Sequence, residues 1–81
     1  MRASDRLMNL NVSLQVFKDI NDSVCVEYER SFVIGDGVEI GTVGRGSDFE
    51  KACEDYLNKI SGKKLRIYDP YTNDRREVTV L

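Results

Sequence analysis

Histidine and tryptophan are absent from this 81-residue chain, which has only one proline and two cysteines. Histidine is the commonest general base, a frequent metal ligand and the usual pH switch near neutrality. Its absence removes the ordinary route to most enzyme mechanisms and to most transition-metal sites. We therefore expect a protein that is not an enzyme and that has no metal and no cofactor.

The two cysteines, Cys25 and Cys53, are too few for the disulfide framework of a small secreted domain. Without a histidine to activate it, neither thiol is a good candidate nucleophile. No N-terminal apolar run has the length of a signal peptide or of a membrane-spanning helix. These features predict a cytoplasmic protein with no membrane partner.

The chain is long enough for one domain with a small hydrophobic core. Such a core gives little stability in the absence of disulfides, a metal or self-association. We therefore predict a homo-oligomer, most simply a dimer. Pairing of edge strands would cover Val33 or Val43, whose positions in the alternating pattern point away from the main core.

Residues 1–9 show neither helical nor strand periodicity, and they predict a flexible N-terminal arm before a single domain over residues 10–81. Apolar and polar residues alternate over residues 10–16, as in a strand with one buried face. The same alternation predicts a second strand over residues 24–34. A third strand over residues 38–42 returns after an Asp-Gly turn.

Residues 49–60 have the periodicity of an amphipathic helix, with apolar side chains three and four positions apart. Those side chains are Phe49, Ala52, Cys53, Tyr56, Leu57 and Ile60. Ser47 and Glu50 have the spacing of a capping box, and Gly62 provides the expected left-handed stop. This helix is the strongest structural signal in the chain.

Two further strands alternate around residues 65–67 and 78–80, and a hairpin with Ile67 opposite Val78 places their apolar residues on one face. The predicted order is β-β-β-α-β-β. The predicted fold class is α+β, with a two-layer arrangement in which one amphipathic helix packs on one face of an antiparallel sheet of about five strands.

Arg30 is two residues from Tyr28 and two from Phe32, so in an unbroken strand its side chain would share their face and point into the core. Because a buried unpaired guanidinium is very costly, we predict a bulge or a strand end at this residue. The alternative is an arginine that is paired and holds a ligand.

Charge is unevenly distributed: the net charge is +2 over residues 1–18, −7 over residues 19–57 and +3 over residues 58–81. Spread acidic residues usually form a solvated face. The alternative is a contact surface for a basic protein. The candidate protein-contact residues are Glu27, Glu29, Asp36 and Glu39.

A glycine-rich segment precedes the predicted helix, where free amides and the helix dipole attract anions. The candidate ligand-binding residues are Gly44, Arg45, Gly46 and Ser47, with Arg75 and Arg76 from the last hairpin. The spacing matches neither the dinucleotide fingerprint nor a P-loop. The segment could therefore bind a small anion, or it could simply connect a strand to a helix.

The last hairpin combines basic residues with Tyr68 and Tyr71, which could stack on bases. Its basic residues are Lys63, Lys64, Arg66, Arg75 and Arg76. Three acidic residues dilute this patch, and the calculated pI is about 5.0. Nucleic acid is therefore the least favoured partner.

Two segments of the chain resemble short proteins of bacteriophages and prophages, over about half of its length. They are Gly44-x-Gly46-Ser47-x-x-Glu50-x-Ala52-x-x-Asp55-Tyr56-x-x-x-Ile60-Ser61-Gly62-Lys63-x-Leu65 and Arg75-Arg76-Glu77-Val78-x-Val80. The resemblance implies an anti-defence protein that blocks a host immune protein or sequesters its nucleotide signal. Our leading hypothesis is a non-enzymatic binding or inhibitory module that occupies a host protein's surface through its acidic face. The alternative is a nucleotide-binding protein that uses the glycine-rich segment, and the third is nucleic-acid binding by the last hairpin.

Overall fold

A computed structural model describes residues 1–81 and contains two helices and seven strands. The elements are α1 (Ala3–Met8), β1 (Leu14–Lys18), β2 (Val24–Tyr28), β3 (Ser31–Gly35), β4 (Val38–Ile40), β5 (Gly44–Gly46), α2 (Phe49–Ile60), β6 (Lys64–Tyr68) and β7 (Arg75–Thr79). Neither helix has the length and apolar character that are needed to span a membrane.

The strands form two antiparallel sheets, where the sequence predicted one. Sheet A has the order β1-β2-β5, and sheet B has the order β4-β3-β6-β7. The α+β class is confirmed, and so are the antiparallel pairing and the single long helix. The expected five strands are replaced by seven, because the predicted second strand is split and the glycine-rich segment is itself a strand.

The split occurs at Glu29 and Arg30, which lie between β2 and β3. Arg30 has a φ of +55°, a left-handed conformation that a strand does not accommodate. The turn shifts the parity of β3, so that Val33 is only 6% exposed in the core. Phe32 lies on the opposite face, with its ring centroid 6.0 Å from that of Tyr68. The predicted interruption at Arg30 is confirmed, and the outward position predicted for Val33 is wrong.

Within the first nine residues, which were predicted to be a flexible arm, Ala3–Met8 form helix α1, which packs against the core. Leu7 of α1 is fully buried, and its carbonyl oxygen accepts a hydrogen bond from the hydroxyl group of Tyr28. Ser4 is also buried and donates from both its amide and its hydroxyl group to Glu50 of α2. A helix of six residues is too short to show a clear period, and its stability comes from these tertiary contacts.

The N-terminus of α2 is capped by Asp48, where the sequence predicted Ser47. The side chain of Asp48 accepts a hydrogen bond of 2.8 Å from the Lys51 amide. Glu50 does not complete a capping box, because its carboxylate binds Ser4. The N-cap is therefore one residue later than predicted, and Glu50 binds α1 in place of the N-cap residue.

The hydrophobic core lies between α2, α1 and the inner faces of the two sheets. Buried residues of the predicted apolar stripe confirm the helix prediction; they are Ala52, Cys53, Tyr56, Leu57 and Ile60. Tyr28 of β2 meets Tyr56 edge to face, with ring centroids 5.5 Å apart. The Tyr28 amide donates a hydrogen bond of 3.0 Å to the Tyr56 hydroxyl oxygen, so this pair joins sheet A to α2.

The β6–β7 hairpin has a different register from the predicted one. Val78 lies opposite Leu65, and Ile67 lies opposite Arg76. The observed register differs from the predicted one by two residues, and side chains two positions apart share a face of a strand. The predicted assignment of side chains to the two faces of the hairpin is therefore correct. The connection covers residues 69–74, whereas the predicted register would have left residues 69–76 as the connection, and an Asx turn at Asp69 tightens it.

Candidate functional site

The glycine-rich segment is strand β5, and its contacts are those of a packing element. A Cβ atom at Gly44 would lie 2.4 Å from the carbonyl oxygen of Ala52, and one at Gly46 would lie 2.5 Å from the Ala52 nitrogen. The Arg45 amide donates to Asp55, and the Arg45 side chain lies 3.3 Å from a carboxylate oxygen of Asp19. These contacts explain why glycine alternates here, and they do not favour an anion site.

The structure does not bring the predicted ligand-binding residues together. Ser47 is exposed beside β5, whereas Arg75 and Arg76 lie in β7 at the far edge of sheet B. The two arginines line a cleft to which residues 44–47 contribute nothing.

The four predicted protein-contact residues are also dispersed. Glu27 is half-buried on β2, Glu29 lies in the β2–β3 turn, and Asp36 lies in the β3–β4 turn. Glu39 is on β4, where its carboxylate accepts hydrogen bonds from Tyr68 and Arg66. These bonds hold the pKa of Glu39 below its ordinary value, with Tyr68 as the main cause. The four residues therefore lie on strands of both sheets and in two different turns.

Ion pairs neutralise part of the basic hairpin on the outer face of sheet B. Arg66 lies 2.9 Å from Glu39 and 3.3 Å from Glu77, and Lys64 lies 3.7 Å from Glu77. Tyr68, which could have served as a stacking platform, donates its hydroxyl to Glu39 and meets the ring of Phe32. This network reduces the positive charge available to a nucleic acid.

An apolar surface that the sequence did not predict lies on β1 and the turn after it. We call it the hairpin surface and define it by Val16, Phe17 and Ile20, whose residues are 52%, 37% and 101% exposed. Val16 and Phe17 are consecutive in β1, so their side chains lie on opposite faces of the strand, on either side of its open edge. β1 is an edge strand that pairs only with β2. One side of its backbone is therefore free to form hydrogen bonds with another chain.

The turn that presents Ile20 is held by hydrogen bonds and ion pairs. The carboxylate of Asp19 accepts hydrogen bonds from the amides of Asn21 and Ser23 at 2.9 and 3.0 Å. These bonds, chiefly the one from Ser23, lower the pKa of Asp19. Asp19 also pairs with Arg45 of β5, so Ile20 projects from a braced position.

A cleft with a volume of about 340 Å³ lies where the two sheets meet, and we call it the seam cleft. Its walls are joined by hydrogen bonds from the Glu29 amide to the Ser13 carbonyl oxygen and from the Tyr68 amide to the Arg30 carbonyl oxygen, both 2.9 Å. The lining residues are Asn11, Val12, Ser13, Glu29, Arg30, Ile67, Tyr68, Asp69, Pro70, Asp74, Arg75 and Arg76.

Three arginines line the seam cleft, and none is in an ion pair. No carboxylate oxygen lies within 4.0 Å of the guanidinium nitrogens of Arg30, Arg75 or Arg76. Arg30 comes from the β2–β3 turn, and the other two come from β7. Arg75 and Arg76 are consecutive in β7, so their side chains leave opposite faces of sheet B, and the charge of Arg75 acts on Glu39 of the outer face. The guanidinium groups of Arg30 and Arg76 are therefore the available hydrogen-bond donors of this cleft.

The thiols have no surroundings that would activate them. Burial raises the pKa of Cys53 to about 11, so its thiol stays protonated near neutral pH. Cys25 is also buried. No group of three or more acidic or thiol side chains is arranged to hold a metal ion.

Comparisons of the chain with known protein families, with curated proteins and with solved structures found no match in any of the three. The hairpin surface and the seam cleft are therefore identified by geometry alone. A sequence signal for the first existed: Ile20 is the single apolar residue in the polar segment over residues 18–23. Arg30, Arg75 and Arg76 of the cleft were each considered as ligand-binding residues in the sequence, but Arg75 and Arg76 were assigned to a site with residues 44–47 and not with Arg30.

Proposed function

We propose that this chain is a non-enzymatic binding module that inhibits a partner protein. It binds the partner with the hairpin surface and so covers part of the partner's own surface. The observation that supports this most directly is Ile20, which is fully exposed beside an open strand edge. Its hydration is unfavourable, and a partner pocket would remove it from water.

The free energy expected from the burial of Ile20 is consistent with a specific contact between two proteins. Complete burial of an isoleucine side chain contributes about 1.5–3 kcal/mol. An extended segment of the partner can add main-chain hydrogen bonds along β1, and side chains such as Val16 then supply specificity. A partner that presents an edge strand or an extended segment next to an apolar pocket fits both features.

Charge favours a basic partner for the hairpin surface. The net charge of −7 over residues 19–57 includes the turn that carries Ile20. Complementary charge speeds association and excludes partners of the same sign. Binding should accordingly weaken as the salt concentration rises.

We place this activity in a bacteriophage context, as an anti-defence protein that acts on a host protein in the cytoplasm. The support for this is the sequence resemblance, together with two free cysteines that suit a reducing compartment. The alternative of a nucleotide held at β5 is not favoured by the contacts of Gly44 and Arg45. Nucleic-acid binding is not favoured by the ion pairs of Arg66.

Ile20→Asp tests the proposal by removing the apolar anchor from an exposed position. The matched control is Val38→Asp, because Val38 is 59% exposed on a different edge strand. Each tagged variant and the wild-type chain would be incubated with host lysate, and captured proteins would be quantified by mass spectrometry. We expect Ile20→Asp to lose at least about ten-fold of the captured partner, because the lost burial corresponds to that factor or more.

The Val38→Asp control should capture the same partner as the wild-type chain. Thermal unfolding of all three proteins would show that both variants fold. Equal capture by Ile20→Asp and the wild-type chain would exclude the hairpin surface as the binding site.

A further inference from the structure

We propose that the seam cleft is a second binding site, which takes a small phosphate-bearing molecule of about mononucleotide size. This site is separate from the hairpin surface and does not depend on the function proposed above. It replaces the β5 segment as the place where an anion would bind.

The donors of the cleft suit a phosphate group. Arginine presents a planar set of N–H donors that matches phosphate oxygens, often with two parallel hydrogen bonds. Arg30, Arg75 and Arg76 all line the cleft, and no carboxylate oxygen neutralises them at ion-pair distance. The side chains of Arg30 and Arg76 alone present enough N–H donors for one phosphate group.

The backbone adds further donors at the same place. Val12, Ser13 and Arg30 line the cleft, and none of their amides donates a hydrogen bond within the chain. Arg30 also has the left-handed backbone, which is costly for a residue with a Cβ and is concentrated at functional sites in proteins. Free amides and the guanidinium groups of Arg30 and Arg76 therefore belong to residues that line one concave surface.

The volume of the cleft and its apolar wall indicate which chemical group the ligand carries besides the phosphate. A volume of about 340 Å³ is larger than one phosphate group needs, and it lies at the lower end of the range for small-molecule sites. Val12, Ile67 and Pro70 provide apolar wall, against which an uncharged ring can pack. A phosphomonoester that carries a ring fits both parts of the cleft.

Three acidic residues in this cleft repel an anion, so removal of one of their charges should raise the affinity for a phosphate group. Glu29, Asp69 and Asp74 line it, so its formal charges balance. The carboxylate of Asp69 is held by the amides of Tyr71 and Thr72 at 2.8 and 3.1 Å. Glu29 has no ion pair, so its charge lowers the affinity for a phosphate by direct repulsion.

The experiment measures binding of inorganic phosphate and of AMP to the full chain by NMR titration. Arg76→Gln should weaken AMP binding by about ten-fold or more, since a charged donor is lost. Glu29→Gln should tighten it several-fold, because a repulsive charge is removed. Lys51→Gln is the matched control, because Lys51 is an exposed, unpaired cation on α2 and should change the affinity less than about two-fold.

Several results would overturn the inference. One is the absence of chemical-shift changes at the cleft with either probe at millimolar concentration. Another is an equal effect of Lys51→Gln and Arg76→Gln, which would show only general attraction to a charged surface. A third is an affinity for single-stranded oligonucleotides that exceeds that for AMP and increases with length. Ile20→Asp should leave AMP binding unchanged, so a failure here is distinguishable from a failure at the hairpin surface.

Discussion

Replacing Gly44 with alanine tests whether β5 is glycine-rich because it packs directly against α2. The added Cβ would lie 2.4 Å from both the carbonyl oxygen of Ala52 and the Cβ of Tyr56, and 2.6 Å from the Tyr56 amide nitrogen. Real Cβ atoms essentially never approach closer than 3.0 Å. None of these three atoms can rotate away by changing a side-chain dihedral angle, so the strand and the helix must move apart.

The expected cost follows from this rigidity. Overpacking of a core typically destabilises a protein by about 1–3 kcal/mol. We expect Gly44→Ala to cost about 3 kcal/mol, because backbone atoms and not flexible side-chain ends are displaced. A domain of this size has a total stability of roughly 4–12 kcal/mol, and the Tm should fall by about 12–24 °C.

The control is Gly41→Ala, since a Cβ at Gly41 would meet nothing within 4 Å. This substitution should leave the stability unchanged or raise it by up to about 1 kcal/mol, because it restricts the unfolded chain. Thermal and denaturant unfolding monitored by circular dichroism would compare the two variants. Equal stability of Gly44→Ala and Gly41→Ala would refute the packing explanation and reopen β5 as a ligand loop.

Three other predictions concern the core, the pH dependence and self-association. Tyr56→Phe removes the acceptor of the Tyr28 amide, whose hydrogen bond is 3.0 Å long, so denaturant unfolding should show a loss of about 1–3 kcal/mol. Stability should be constant from about pH 5 to 8.5, because the chain has no histidine. It should decrease as the pH falls below 4.5, the ordinary pKa of Glu50, because hydrogen bonds from Ser4 lower that pKa in the folded state and the unfolded chain binds protons first. It should also decrease above pH 9.0, where Cys53 ionises in the unfolded chain, since burial raises its folded pKa to about 11. Light scattering should give a mass above the monomer value of 9.3 kDa at high micromolar concentration, through the open edge of β4.

Each of these predictions has a result that would contradict it. Wild-type stability in Tyr56→Phe would show that the Tyr28 amide finds another acceptor. A titration between pH 5.5 and 8 in the unfolding free energy would require an ionisable group that the structure does not identify. A constant mass of 9.3 kDa across the concentration series would show that the chain is a monomer.

The sequence predicted the elements whose signal is local and repeated. Helix α2 was identified because its apolar positions recur over more than three turns, which a strand cannot imitate. The β3–β4 hairpin was identified because the Asp-Gly dipeptide favours a tight hairpin turn, and Asp36 and Gly37 both adopt the positive φ values that this turn requires.

The interruption at Arg30 was predicted, but the division into two sheets was not, because the sequence does not show which face of the chain is buried after the interruption. Arg30 shifts the parity by a single position, and the residues after it, Phe32, Val33 and Ile34, are all apolar. Either face of β3 therefore looks suitable for the core in the sequence. The alternation of apolar and polar residues therefore cannot show that the buried face changes at the turn before this apolar run.

The candidate sites show the same limit, since they depend on contacts between distant segments. Arg75 and Arg76 were selected as ligand-binding residues, but the cleft also requires Arg30 and the loop before β1, which only the fold brings near them. Val16 was assigned to the core because of its parity. It is 52% exposed because it lies on the edge strand of sheet A, and position in a sheet is not encoded in the alternation.

Hydrogen–deuterium exchange of the chain, alone and with the captured partner, tests most directly whether the hairpin surface binds another protein. The amides of β1 should exchange markedly more slowly in the complex, because an edge strand gains hydrogen bonds or is covered. Strand β7 is the matched reference, since it is also an edge strand, and its exchange should not change. Unchanged exchange in β1, with protection confined to β7 or the seam cleft, would contradict the proposed mode of binding.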